Sequence, residues 1–163
     1  ESVVEYPLVQ DPFILVTPRG MGGDGTDIMS SINDVPFLRY AREQLISQQI
    51  EVHLARHGLQ FEERFEIGSH LALMAMVARR IGWAITTPLG YMRAVRFHDQ
   101  MDVHPLPFAQ FSRCISLFAS ADWADTVPRD VAQTVRQLAQ AQIIDPALTR
   151  LPWLAGAFCI LKG

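Results

Sequence analysis

The chain has 163 residues, 49% hydrophobic and 19% charged, with a net charge of −3 at pH 7. That profile excludes a fibrous or wholly disordered chain, and at this length a fold buries about 70% of its unfolded surface, so no disulfide or structural metal is required. The 14 Lys and Arg are scattered among 17 Asp and Glu without a run, which leaves no electrostatic footprint for nucleic acid.

Cys114 and Cys159 form no C-x-x-C pair and have no ligand-spaced neighbours, so a disulfide scaffold and a zinc finger are both excluded and a reducing compartment fits. The longest strictly apolar run is Leu71 to Ala78, far below the about 20 residues of a membrane helix. The chain starts at Glu1, without a charged leader or a cleavable apolar segment, which predicts that it begins inside a folded unit and that a segment normally precedes it.

In chain order, Phe13 to Thr17 is an apolar, partly β-branched run ended by Pro18, a buried strand. Residues 19–34 hold four glycines between Gly20 and Gly25 and have no period, which predicts a surface loop; the Lys-Ser/Thr ending of a phosphate loop is missing. Phe37 to Tyr40 reads as a strand, followed by a helix with Leu45, Ile46, Ile50 and Leu54 at helical spacing, stopping at Gly58. Phe61 to Ile67 puts Phe65 and Ile67 on one strand face, and Ser69 is a good N-cap for an apolar helix from His70 to Arg80, with Gly82 ending it. Trp83 to Thr86 makes a third short strand, closed by Thr87-Pro88 before a helical stretch around Leu89 to Val95. Three βα units in succession predict a parallel sheet.

Further strands are expected at Val103 to Leu106 and Cys114 to Ala119. Asp125, Thr126 and Pro128 start a helix in the favoured way, and its stripe of Val131, Val135 and Leu138 is expected to pack on a second sheet. The tail from Asp145, with Pro146, Pro152, Trp153 and Phe158, is expected to lie against the body.

Ligands of open parallel sheets bind outside the carboxyl ends of the strands, where helix N-termini point unsatisfied N–H groups. The three strand ends are Tyr40-Ala41-Arg42, Gly68-Ser69-His70 and Thr86-Thr87. Arg42 can hold a carboxylate bidentately, and Ser69, Thr86 and Thr87 can add neutral hydrogen bonds, which suits a small anion. Taken singly, Ser69 can be only an N-cap and Thr86-Thr87 only a strand end; their joint position favours a site.

His98, Asp99, Asp102 and His104 form the only dense cluster of metal-ligand types, but without ligand spacing, so the segment is expected to be a solvated loop and no metal is expected. No Gly-x-Ser-x-Gly elbow is present, and the side chains of Ser69 and His70 diverge at a helix start, so no catalytic residue is expected. Arg79-Arg80 fit a helix C-terminus, and Met74 and Met76 fit a core.

The order of these segments resembles the effector-binding domain of LysR-type transcriptional regulators. YPLVQDPFILVTP (6–18) is similar to the family's strand leading out of the first lobe, and VPFLRY…IEVHLARHGLQF (35–61) to the opening strand and helix of the second. SHLALMAMVARRIGWAITTP (69–88) resembles its helix, turn and proline-ended strand, and MDVHPLPFAQFSRCISLFAS (101–120) the return to the first lobe. The chain departs from the family at Arg79-Arg80, where a small residue and a glycine are usual.

The resemblance implies an α/β, two-lobed, periplasmic-binding-protein-like (type 2) fold with the first lobe incomplete: 18–110 as the second lobe, and 1–17 with 111–163 as part of the first. It implies a ligand-sensing, co-inducer-binding domain without catalysis or cofactor. A small organic, commonly anionic, effector would be held between the lobes by Tyr40, Ala41, Arg42, Gly68, Ser69, His70, Thr86 and Thr87. Thr17, Pro18, Phe111 and Ser112 would act as hinges. It further implies a cytoplasmic protein without membrane contact, DNA binding only through a separate N-terminal winged helix-turn-helix domain absent here, and a homodimer or homotetramer at full length. The alternatives are a solute-binding protein of similar fold, which needs an exported precursor, and an enzyme using His98, Asp99, Asp102 and His104 as a metal centre.

Overall fold

Residues 2–22 and 27–162 are described by a computed structural model. The chain forms two units, one holding the residues up to Pro12 and from Ser112 onward, the other Phe13–Phe111. It passes between them at Pro12–Phe13 and at Phe111–Ser112. The first strand, β1 (Val3–Pro12), belongs to the smaller unit; β2 (Ile14–Pro18) is fully buried and belongs to the larger. The first expected boundary, between residues 17 and 18, therefore falls inside β2. The run 13–16 has no polar face to leave in water, so it can only be an interior strand.

The expected loop at 19–34 contains a short helix, α1 (Ile28–Asn33), which Asp27 caps by accepting from the Met29 N–H at 3.1 Å. Residues 23–26 of that loop, with two of its glycines, lie outside the described residues. β3 (Phe37–Tyr40) and α2 (Leu45–Arg56) follow as the apolar spacing dictates, with Ile50 and Leu54 inward, although Leu45 is exposed. β4 (Glu63–Ile67) pairs in parallel with β3, and Phe65 is exposed rather than buried. α3 (His70–Ala78) ends two residues before the expected Arg80. Arg80 takes the left-handed turn itself, with φ +67°, and donates to the Arg19 carbonyl at 2.7 Å. A non-glycine residue there costs about 1–2 kcal/mol.

Gly82 instead serves a close approach, because a Cβ there would lie 2.3 Å from the Pro36 carbonyl oxygen. β5 (Ala84–Thr86) and α4 (Pro88–Met92) complete the third βα unit. β5 pairs antiparallel with β2, and β2 with β6 (Met101–Pro105). A parallel bridge from Phe37 to Trp83 joins β3 to the start of β5. The expected all-parallel sheet is thus mixed: parallel on the β3–β4 side, antiparallel around the central β2. Trp83 is fully buried, its ring centroid 4.7 Å from Phe37 and 4.8 Å from Phe61.

In the smaller unit β7 (Ser112–Ser120) and β8 (Cys159–Ile160) flank β1, all antiparallel. α5 (Thr126–Ala139) lies against β1, and Arg136 clamps the Pro7 carbonyl with two donors at 3.0 and 2.6 Å. Its expected inward stripe points outward: Val131, Val135 and Leu138 are exposed, and Pro128, Ala132 and Ala139 are the buried residues. Small side chains let the helix backbone sit close, so they occupy the covered face. The tail does pack, through a π-turn at Gln140–Ile144, α6 (Asp145–Arg150) and β8, with Ile144, Leu154 and Phe158 buried and Trp153 exposed.

Candidate functional site

The parallel strands β3, β4 and β5 present their carboxyl ends on the same side of the larger unit, and α3 and α4 begin there. Ser69 caps α3 by accepting from the Ala72 N–H at 3.3 Å, and Thr87 caps α4 by accepting from the Gly90 N–H at 3.4 Å. Both hydroxyls therefore hold helix starts.

Behind them runs a directional hydrogen-bond chain. His70 Nε2 lies 2.6 Å from the Gly90 carbonyl, which can only accept, so Nε2 carries a proton. In the neutral ring Nδ1 then accepts from the Tyr40 hydroxyl at 2.8 Å, and the Tyr40 oxygen accepts from Thr86 Oγ1 at 2.8 Å. Tyr40, Thr86 and Thr87 are buried, and burial makes each of these bonds expensive to break. A Cβ on Gly90 would sit 2.8 Å from both the His70 ring and Thr86 Oγ1, so glycine is required for the chain to close.

The rim is different. Gly68, Ser69 and Arg42 are exposed, Arg42 by 64% of its side chain. The Arg42 guanidinium already faces a carboxylate: Nε is 3.5 Å from Glu66 Oε2, and the Arg42 backbone N–H donates to Glu66 Oε1 at 2.6 Å. Gln44 Nε2 donates to the Gly68 carbonyl at 2.8 Å, tying the β3 end to the β4 end. The eight expected residues thus divide into a hydrogen-bond chain of half-buried His70 with buried Tyr40 and Thr86, two capping hydroxyls, a buried Ala41, and an exposed rim of Arg42 and Gly68. Glu66, Gln44 and Gly90 were not singled out by the sequence; the glycine in the first turn of a proline-started helix was the one available signal.

Ser69 and His70 do diverge, one capping a helix and the other bonded to Tyr40 and Gly90. The segment 95–104 is not the expected solvated loop. It forms a 3₁₀ turn (Val95–Gln100) and β6, and His98 is buried, stacked on Tyr91 at 3.9 Å and donating to its carbonyl at 2.7 Å. His104 bonds Thr17 at 3.2 Å, and burial lowers its pKa against the opposing charge of Asp102. Asp102 accepts from the Gly20 N–H at 2.7 Å. This cluster is built into the sheet.

Of the expected hinge residues, Thr17 and Pro18 are paired inside β2 with Asp102 and Met101, whereas Phe111 and Ser112 flank a passage between the units. Phe13 and Phe111 close the larger unit's two ends against each other, by an N–H to carbonyl bond of 2.9 Å and ring stacking at 3.9 Å. His53 stacks on Phe111 at 3.6 Å and bonds the Ala109 carbonyl at 2.5 Å, and burial lowers its pKa. Two open cavities lie elsewhere, one of about 480 Å³ beside Leu54, Leu59 and Phe61 and one of about 520 Å³ beside Arg136 and Lys162.

Comparison with curated protein sequences gives no significant match. Solved structures do match in fold. The regulatory domain of HypT from Salmonella typhimurium is 16% identical, with a TM-score of 0.62 over 86% of this chain and 67% of that one. The reduced regulatory domain of OxyR2 from Vibrio vulnificus is 18% identical, with a TM-score of 0.67 over 85% and 66%. The CcmR regulatory domain from Synechocystis PCC6803, in complex with 2-PG, is 13% identical, with a TM-score of 0.66 over 86% and 69%. The chain thus spans about two thirds of the length of these domains. The LysR substrate binding domain family matches residues 1–142, most of both units, and the chain belongs to that family.

Proposed function

We propose that the chain is the ligand-sensing part of a LysR-type transcriptional regulator, that it takes a small organic anion at the carboxyl ends of β3, β4 and β5, and that it performs no catalysis. The observation that carries this reading is Arg42, an exposed cation just past the carboxyl end of β3, with the His70–Tyr40–Thr86 hydrogen-bond chain joining the ends of β3 and β5 to the start of α3. Rigid support of this kind keeps a polar rim in place without ordering it at each binding event. The anionic 2-PG held by the CcmR neighbour supports the same ligand class. DNA binding would reside in a separate N-terminal domain, and the full-length protein would be a cytoplasmic homodimer or homotetramer. No helix among the described residues is long and apolar enough to cross a membrane.

A ligand of this kind acts only through different affinities for two conformations of the domain. Pro12–Phe13 and Phe111–Ser112, where the chain passes between the units, are the positions at which such a difference would be absorbed. The test is calorimetry with a panel of small carboxylates and phosphates. For whichever binds, Arg42→Ala weakens affinity by more than about tenfold, the range of a lost charged hydrogen-bond pair. Unchanged affinity would remove Arg42 from the site.

A further inference from the structure

We propose that Glu66 is a resident carboxylate that holds the anion position of the ligand site until a ligand displaces it. The inference rests on the anion-binding reading above and deepens it. The β3–β4 ladder ends where the Ala41 N–H meets the Ile67 carbonyl at 3.0 Å. The next donor along the strand, the Arg42 N–H, is taken by the Glu66 side chain at 2.6 Å, and the other Glu66 oxygen faces the Arg42 guanidinium at 3.5 Å.

One carboxylate thus bridges a backbone N–H and a guanidinium at a strand's carboxyl end, the two donors an acidic ligand would use there. Arg42 and Glu66 are 64% and 41% exposed, so water and ions reach the pair and its attraction is weak. A ligand carboxylate or phosphate brings the same charge and the same pair of acceptor oxygens, and can exchange for Glu66 while the displaced side chain moves into solvent. A neutral ligand offers weaker acceptors and leaves Glu66 in place. Glu66 therefore competes with anions for these two donors and lowers their affinity in the resting domain.

The test is an amide NMR titration of the full chain with inorganic phosphate at fixed ionic strength, read at the backbone amides of residues 40–42 and 68–70. Glu66→Gln keeps an acceptor for the Arg42 N–H and removes the competing charge. It is expected to reach half-saturation at about three- to fivefold lower phosphate than the unsubstituted chain, the range of an exposed ion pair. Glu66→Ala, a second variant in case the first disturbs the strand, is expected to move the same way. If these amides respond equally in all three chains, Glu66 does not compete and the inference is wrong while the anion site stands. If they respond in none, the anion-site reading falls and takes the inference with it.

Discussion

In the larger unit the central apolar residues are inside, Ile14, Leu15 and Val16 of β2, Leu73, Met74 and Val77 of α3, and Trp83, although Leu45 and Phe65 at its periphery are exposed. In the smaller unit an equally regular stripe, Val131, Val135 and Leu138 of α5, is outside, with Phe118 of β7 and Trp123 also exposed. The two regions differ in what their elements have to pack on. α3 has β2 and β3 beside it, whereas α5 lies against β1, buries Pro128, Ala132 and Ala139, and leaves its larger apolar stripe exposed. Helical spacing reveals a stripe but not what covers it.

The sharpest way to break this contrast is to empty the larger unit's core. Trp83→Ala removes a fully buried ring and is expected to lower stability by about 3–5 kcal/mol in urea unfolding. A loss no greater than that of a surface change would mean that the unit is not packed as described. Next in size, Tyr40→Phe deletes the hydroxyl between His70 and Thr86 and removes one hydrogen-bond partner from buried Thr86 and half-buried His70. Thermal unfolding should show a loss of about 1–3 kcal/mol.

pH separates the units further, because His53 and His104, both in the larger one, have lowered pKa values caused chiefly by burial. The unfolded chain binds protons at these sites near its ordinary histidine pKa of about 6.5 and the folded chain resists them, so the unfolded state holds more protons below that point. Their contribution is therefore complete above about pH 6.5 and is lost as the pH falls through the lowered folded values. Urea midpoints taken at about pH 7.5 and about pH 5.5 should fall in that order, and His53→Gln should flatten the difference. The smallest effect belongs to the smaller unit: Leu138→Ser on the exposed stripe should change stability by no more than about 0.5 kcal/mol. A larger loss would show that the stripe is covered in solution.

Much of the larger unit was legible because its signals are local. Ser69 before an apolar run forced the α3 start, Thr87-Pro88 forced the α4 start, and an apolar run without a polar face forced β2 into the interior. The proposed strand-end site rests on those three readings. What the sequence withheld depends on partners distant along the chain. Glu66 meets Arg42 only because β4 pairs with β3, and β5 pairs antiparallel with β2, which no local period encodes. His98 looked like part of a polar loop because its neighbours Asp99 and Gln100 are polar, whereas stacking on Tyr91 buries it. The Asp125 carboxylate, expected to start α5, instead accepts from Tyr6 at 2.7 Å and pairs with Arg129.

The most direct measurement of the central claim is a crystal structure of the full chain with the tightest-binding small carboxylate from the calorimetric panel. The ligand's carboxylate is expected within about 3 Å of the Arg42 nitrogens. It should lie beside Ser69 and His70, with the His70–Tyr40–Thr86 chain unbroken. A ligand seated instead in the cavity beside Leu54 and Phe61, with the ends of β3, β4 and β5 empty, would contradict it.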